Sequence, residues 1–136
     1  MRLLLDTNAY SALMRGHAEV AARVRGAERV LVSPIVLGEL RFGFRLGSRP
    51  SENVRQLDAF LDRPFVELLT VTRTTADRFA RVAADLRRKG RPIPTNDVWI
   101  AAQSLETGAE LLSSNRHFGE VDGLAWIPFE GSQGQP

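Results

Sequence analysis

Three acids in this chain occupy positions where a carboxylate needs a physical reason. Asp6 closes the apolar run Leu3-Leu4-Leu5 and is followed by Thr7 and Asn8. Glu39 lies in SPIVLGELRFG, where its neighbours three and four positions away are Ile35, Val36, Phe42 and Gly43; at helical spacing these share its side of the helix. Asp97 follows Thr95-Asn96 after the loop containing Pro92 and Pro94. Each has an ordinary reading. Asp6 and Asp97 favour a helix start, where an acid complements the macrodipole. Glu39, costly to bury ionised, must pair with an arginine such as Arg41 or Arg45, hold a proton, or face a polar cavity. Together they permit another reading: converging on one cleft, three carboxylates would repel one another unless a divalent cation neutralised them. Hard oxygen donors suit Mg²⁺ or Mn²⁺, and magnesium takes one or two carboxylates directly while keeping several waters. Such an ion acidifies and orients water and neutralises a phosphoryl group under in-line attack.

Other chemistries are excluded or weak. With no cysteine there is no disulfide, zinc–thiolate site or thiol catalysis, and the two histidines, His17 and His117, do not make a histidine-rich metal site. We read His117 as structural, together with Trp99, Trp126 and Phe118 as core aromatics. No apolar run approaches the roughly 18 residues of a membrane span, so the expected location is the cytoplasm. Net charge is +2, but Lys89 is the one lysine among 18 cations. Guanidinium groups suit bidentate phosphate contacts, and Arg41, Arg45 and Arg49, four apart, are candidate contacts to a nucleic-acid backbone or simply a solvated face.

The elements that must position these acids follow from periodicity. Arg2–Leu5 and Val30–Val32 read as strands covered on both faces, Phe65–Val71 as a third, with Glu110–Leu112 and Leu124–Ile127 completing about five. Helices are expected over 8–15 and 17–25. Another runs from the Ser33-Pro34 start signal to Leu46, and one capped by Ser51 runs to Leu61. The next is capped by Thr74 or Thr75, with Ala76, Phe79, Val82, Ala83 and Leu86 inward, and the last starts at Thr95 and stops at Gly108. Alternation of strands and helices predicts a three-layer α/β/α sandwich with a central, mainly parallel sheet. Residues 1–130 form one domain and 131–136 a loose tail. Ligands of such sheets bind beyond the carboxyl ends of the strands, which is where Asp6 falls.

The stretches LLLDTNAYSAL, SPIVLGELRFG, PTNDVWIAAQSLETGAELLSSN and RHF at 116–118 resemble, in order and over nearly the whole chain, the PIN-domain ribonucleases, and among them the VapC-type toxins of toxin–antitoxin pairs. The resemblance implies Mg²⁺- or Mn²⁺-dependent hydrolysis of RNA by a metal-activated water, leaving 5′-phosphate and 3′-hydroxyl ends. It carries an acidic site onto Asp6, Glu39 and Asp97, with Asp6 and Asp97 as direct metal ligands. Glu39 would hold the water network or a second ion. Thr7 and Asn8 match the polar pair that orients the first acid, with Asn96 in support. Where many members have a fourth acid this chain has Asn115, an uncharged candidate for the same place. A small VapB-like antitoxin and a homodimer are the implied partners. A haloacid-dehalogenase-like phosphatase would need an acid where Asn8 stands. A catalytically weak module of the same fold, binding RNA or a partner, is the competing reading.

Overall fold

The computed structural model describes residues 1–131; the predicted tail from 131 lies, but for Gly131, outside the described residues. Five strands form one sheet in the order β3-β2-β1-β4-β5, every neighbouring pair parallel. They are β1 (Arg2–Leu5), β2 (Arg29–Val32), β3 (Val66–Leu68), β4 (Glu110–Leu112) and β5 (Trp126–Ile127). Six helices connect them: α1 (Thr7–Met14), α2 (Ala18–Gly26), α3 (Pro34–Leu46), α4 (Pro50–Leu61), α5 (Arg73–Arg88) and α6 (Thr95–Thr107), with a 3₁₀ turn at Arg116–Glu120. This is the expected three-layer sandwich. Leu3, Leu4 and Leu5 are all fully buried; since successive strand residues point to opposite faces, helices must cover both. Burial of each such leucine contributes about 1.5–3 kcal/mol.

The chain winds outward from β1 through β2 to β3, then returns to place β4 on the other side of β1. The sheet therefore has its topological switch point between β1 and β4, where clefts open beyond the strand ends. Leu5 pairs with Leu112 in this register, and the Asp6 N–H extends the ladder to the Leu112 carbonyl at 3.1 Å. Asp6 and Ser113, next beyond those paired leucines, leave the sheet side by side.

Several boundaries differ from expectation. α4 begins at Pro50 with Arg49 as N-cap, so Ser51 lies inside the first turn; proline's fixed φ suits that position. β3 stops at Leu68, because its one neighbour, β2, ends at Val32. β5 is limited to Trp126–Ile127. α5 starts after Thr72, whose N–H donates to Thr75 Oγ1 at 3.0 Å. Thr75 is then buried and Ala76 exposed, so Thr75 takes the place of Ala76 in the inward stripe with Phe79, Val82, Ala83 and Leu86. No described helix is long and apolar enough to cross a membrane.

Candidate active site

Asp6 is both a cap and a buried acid. It is the N-cap of α1, its Oδ1 accepting the Thr7 N–H at 2.8 Å, and it is only 3% exposed. Oδ2 accepts from Ser113 Oγ at 2.6 Å and from Asn8 Nδ2 at 3.1 Å. Burial pushes its carboxyl above the ordinary 3.8; the Ser113 and Thr7 hydrogen bonds oppose this, the charge of Glu39 adds to it, and the Asn8 bond opposes it.

Ser33 accepts the Ile35 N–H at 3.0 Å and starts α3 at the end of β2, which carries Glu39 round to the same sheet edge. Glu39 is half-buried, and among the described residues neither Arg41 nor Arg45 forms an ion pair with it. Its Oε1 accepts from the Thr7 hydroxyl and its Oε2 from Asn96 Nδ2 at 3.1 Å, so it bridges the first turns of α1 and α6. Its partners are thus two polar side chains of neighbouring helices, where the sequence left an arginine open.

Asp97, in the first turn of α6, is 7% exposed and its carboxyl is pushed up to about 6. Burial is the largest cause, the negative charges of Asp6 and Glu39 add to it, and His117 works the other way. Asn115 Nδ2 stands 3.5 Å from Asp97 Oδ2, the outer limit of a hydrogen bond. Asp6, Glu39, Asp97 and Asn115 thus meet at one edge, with Thr7, Asn8 and Asn96 linking them.

His117 is exposed on the 3₁₀ turn and its charge reaches Asp97, whereas Phe118 beside it is 1% exposed and anchors that turn in the core. Trp99 is half-buried, stacked on Phe79 with ring centres 4.1 Å apart, and half-buried Trp126 donates its indole N–H to the Ser113 carbonyl at 2.9 Å. The arginine series also fails to form one side of a helix: α3 ends at Leu46, Arg41 pairs with Asp58 and Arg49 with Glu52, each at 3.2 Å, and none of the three pairs with the acids of the site.

Ser113 is the residue that sequence reasoning missed. Fully buried at the end of β4, its one signal is a small hydroxyl directly after an apolar strand, the same pattern that singled out Asp6.

The donors suit a hard divalent cation: every candidate ligand atom is oxygen, and on top of their burial Asp6 is raised by the charge of Glu39 and Asp97 by the charges of Asp6 and Glu39. Among the described residues no three His, Cys, Asp or Glu side chains are grouped to hold an ion by themselves.

The PIN domain family model matches residues 3–124. The chain belongs to the PIN-domain family. Among relatives, this PIN-domain chain is 31% identical over 127 residues to ribonuclease VapC2 of Haemophilus influenzae, covering 91% of this chain and 95% of that one. Its fold is similar to VapBC-1 of nontypeable Haemophilus influenzae, with TM-score 0.83, 28% identity and coverage of 94% and 98%. It also matches VapBC-5 of Mycobacterium tuberculosis, a member of the VapBC family of toxin–antitoxin systems, with TM-score 0.70, 23% identity and coverage of 95% and 98%. It is a VapC-type member of the PIN-domain family.

Proposed function

We propose that this protein is a metal-dependent endoribonuclease, a VapC-type toxin that hydrolyses RNA phosphodiester bonds and is inhibited by a VapB-like antitoxin. The observation that carries the reading is the meeting of Asp6, Glu39 and Asp97 at the carboxyl edge of the sheet with their charges unbalanced. The 31% identical relative, a VapC ribonuclease, and the VapBC structures of similar fold support the activity and the partner.

Asp6 and Asp97 hold Mg²⁺ or Mn²⁺ in this reading, and the ion, when bound, supplies a Lewis acid that activates water and neutralises the phosphoryl group. The protein's part is placement. Asp6 is fixed by donors on both oxygens, so the site is ordered before substrate arrives, which is where an enzyme gains most from geometry. Glu39, held by Thr7 and Asn96, presents a carboxylate that can accept a proton from an attacking water in the cleft. Asn115 adds a neutral polar group beside Asp97 where a fourth acid would add charge. In this reading water attacks phosphorus directly, with no covalent protein intermediate.

The test is hydrolysis of RNA by the purified, partner-free protein with Mg²⁺ or Mn²⁺. Cleavage should stop with EDTA and fall at least about a hundredfold, a loss of about 2.7 kcal/mol of transition-state stabilisation, in Asp6→Ala and Asp97→Ala. Unchanged cleavage in both variants would overturn the site. RNA binding without any cleavage by the wild type would favour the inactive-module reading.

A further inference from the structure

Ser113, fully buried, makes three hydrogen bonds through one hydroxyl, and nothing in the activity proposed above assigns it a part. Its Oγ accepts the Asn115 backbone N–H at 3.0 Å and an N–H of Asn8 Nδ2 at 3.2 Å. A serine hydroxyl has two lone pairs and one hydrogen. Both lone pairs are taken, so the hydrogen is committed to Asp6 Oδ2, 2.6 Å away.

The orientation of Asn8 is equally determined. Its Oδ1 accepts the Ser114 N–H at 3.0 Å, which fixes the amide so that Nδ2 faces both Ser113 and Asp6. Asp6 Oδ2 therefore receives two hydrogen bonds, from Ser113 and Asn8, while Oδ1 receives one, from Thr7. A carboxylate oxygen accepts about two bonds. Oδ2 is saturated, and Oδ1 keeps a lone pair.

We propose that Ser113, with Asn8, is the positioning residue that makes Asp6 a one-oxygen metal ligand and thereby sets which divalent cation the site prefers. The inference rests on the metal-dependent reading given above. Calcium tolerates mono- and bidentate carboxylates at varied geometry, whereas magnesium demands near-octahedral ligation, which the narrow bite of a two-oxygen carboxylate does not fit. With Oδ2 saturated, Asp6 offers the small ion the single oxygen it prefers and denies the larger ion the second one. Removing the Ser113 hydroxyl releases a lone pair on Oδ2 and lets Asp6 bind through both oxygens.

Isothermal titration with Mg²⁺ and with Ca²⁺, on wild type, Ser113→Ala, Ser113→Thr and Asn8→Ala, decides it without reference to activity. The ratio of the Ca²⁺ to the Mg²⁺ dissociation constant should drop about tenfold in Ser113→Ala, the scale of losses on removing a partner behind a metal ligand. Asn8→Ala, which frees the same oxygen without touching Ser113, should move it the same way. Ser113→Thr, which keeps the hydroxyl, should hold the wild-type ratio. A merely structural role would weaken both ions alike and leave the ratio still. Binding of both ions with an unchanged ratio in Ser113→Ala and Asn8→Ala overturns this inference alone, as does a shifted ratio in Ser113→Thr. A wild type that binds neither ion overturns the metal-dependent reading with it.

Discussion

Ionising Asp97 costs more in the folded chain than in the unfolded one. Its carboxyl sits at about 6 rather than 3.8, because burial withholds solvent and because Asp6 and Glu39 repel a further negative charge, against the opposing pull of His117. The native state thus holds this proton more tightly than the unfolded chain does. The advantage is present below about pH 4 and is lost as pH rises through about 6; above that the native state carries the full cost of the charge. Asp97→Asn keeps the shape and removes the charge. In EDTA at pH 7.5 it should be more stable than wild type, by up to about 3 kcal/mol for a shift of this size, and its stability should fall less between pH 4 and 6 than that of wild type, the raised Asp6 carboxyl leaving a residual fall. A variant no more stable than wild type at pH 7.5 would mean that the site does not store this repulsion. The three acids were legible in the sequence by their places: Asp6 closing an apolar strand, Glu39 among apolar helical neighbours and Asp97 opening a helix after a proline loop. Ser113 was not legible, since a serine after a strand is unremarkable until the β1–β4 register sets it beside Asp6.

At the scale of elements, what positions the site is where helices start. Ser33, fully buried, caps α3 through the Ile35 N–H, and Glu39 follows six residues later on the same rigid rod. Ser33→Ala leaves that buried donor without its partner and should destabilise the protein by about 1–2 kcal/mol. Urea unfolding measures it, and a change below about 0.5 kcal/mol, the usual size of a neutral surface substitution, would show that α3 is held by packing alone. This start was readable because Ser33-Pro34 contains both the cap and the proline of the first turn. The start of α5 was not, with threonines at 72, 74 and 75 equally good in isolation. The structure sends Thr75 inward because its hydroxyl can donate to Glu106 at 2.7 Å, a partner that exists only once α6 packs against α5. The length of β3 has a similar cause. The run to Val71 is apolar enough for a strand, but beyond the Leu69 N–H, bonded to the Val32 carbonyl at 2.8 Å, β2 has ended, and the Thr70 carbonyl turns to Gln103 instead. Local pattern fixes which residues can be a strand, and the neighbour decides how many are.

Considered as a whole, the molecule builds its acidic edge from four stretches far apart in the chain: the end of β1, the second turn of α3, the first turn of α6 and the residues after β4. An unfolded chain cannot bring residues 6, 39 and 97 together, so an ion held there binds the native state only. Its stabilisation then follows mass action, about 2.7 kcal/mol when the ion stands at a hundred times its dissociation constant. The two tryptophans report on separate parts of the structure, Trp99 stacked on Phe79 between α5 and α6, and Trp126 on the edge strand β5, bonded to the Ser113 carbonyl. If the edge is formed only by the complete fold, Mg²⁺ should raise the urea midpoint followed by tryptophan fluorescence and by far-ultraviolet circular dichroism equally, with the slope of the transition unchanged. Asp6→Asn, which removes one carboxylate charge from the proposed metal site, should abolish the rise. Transitions that separate between the two probes on adding Mg²⁺ would locate the ion on a part of the structure that opens independently, and a midpoint indifferent to Mg²⁺ in the wild type would remove it from the acidic edge altogether.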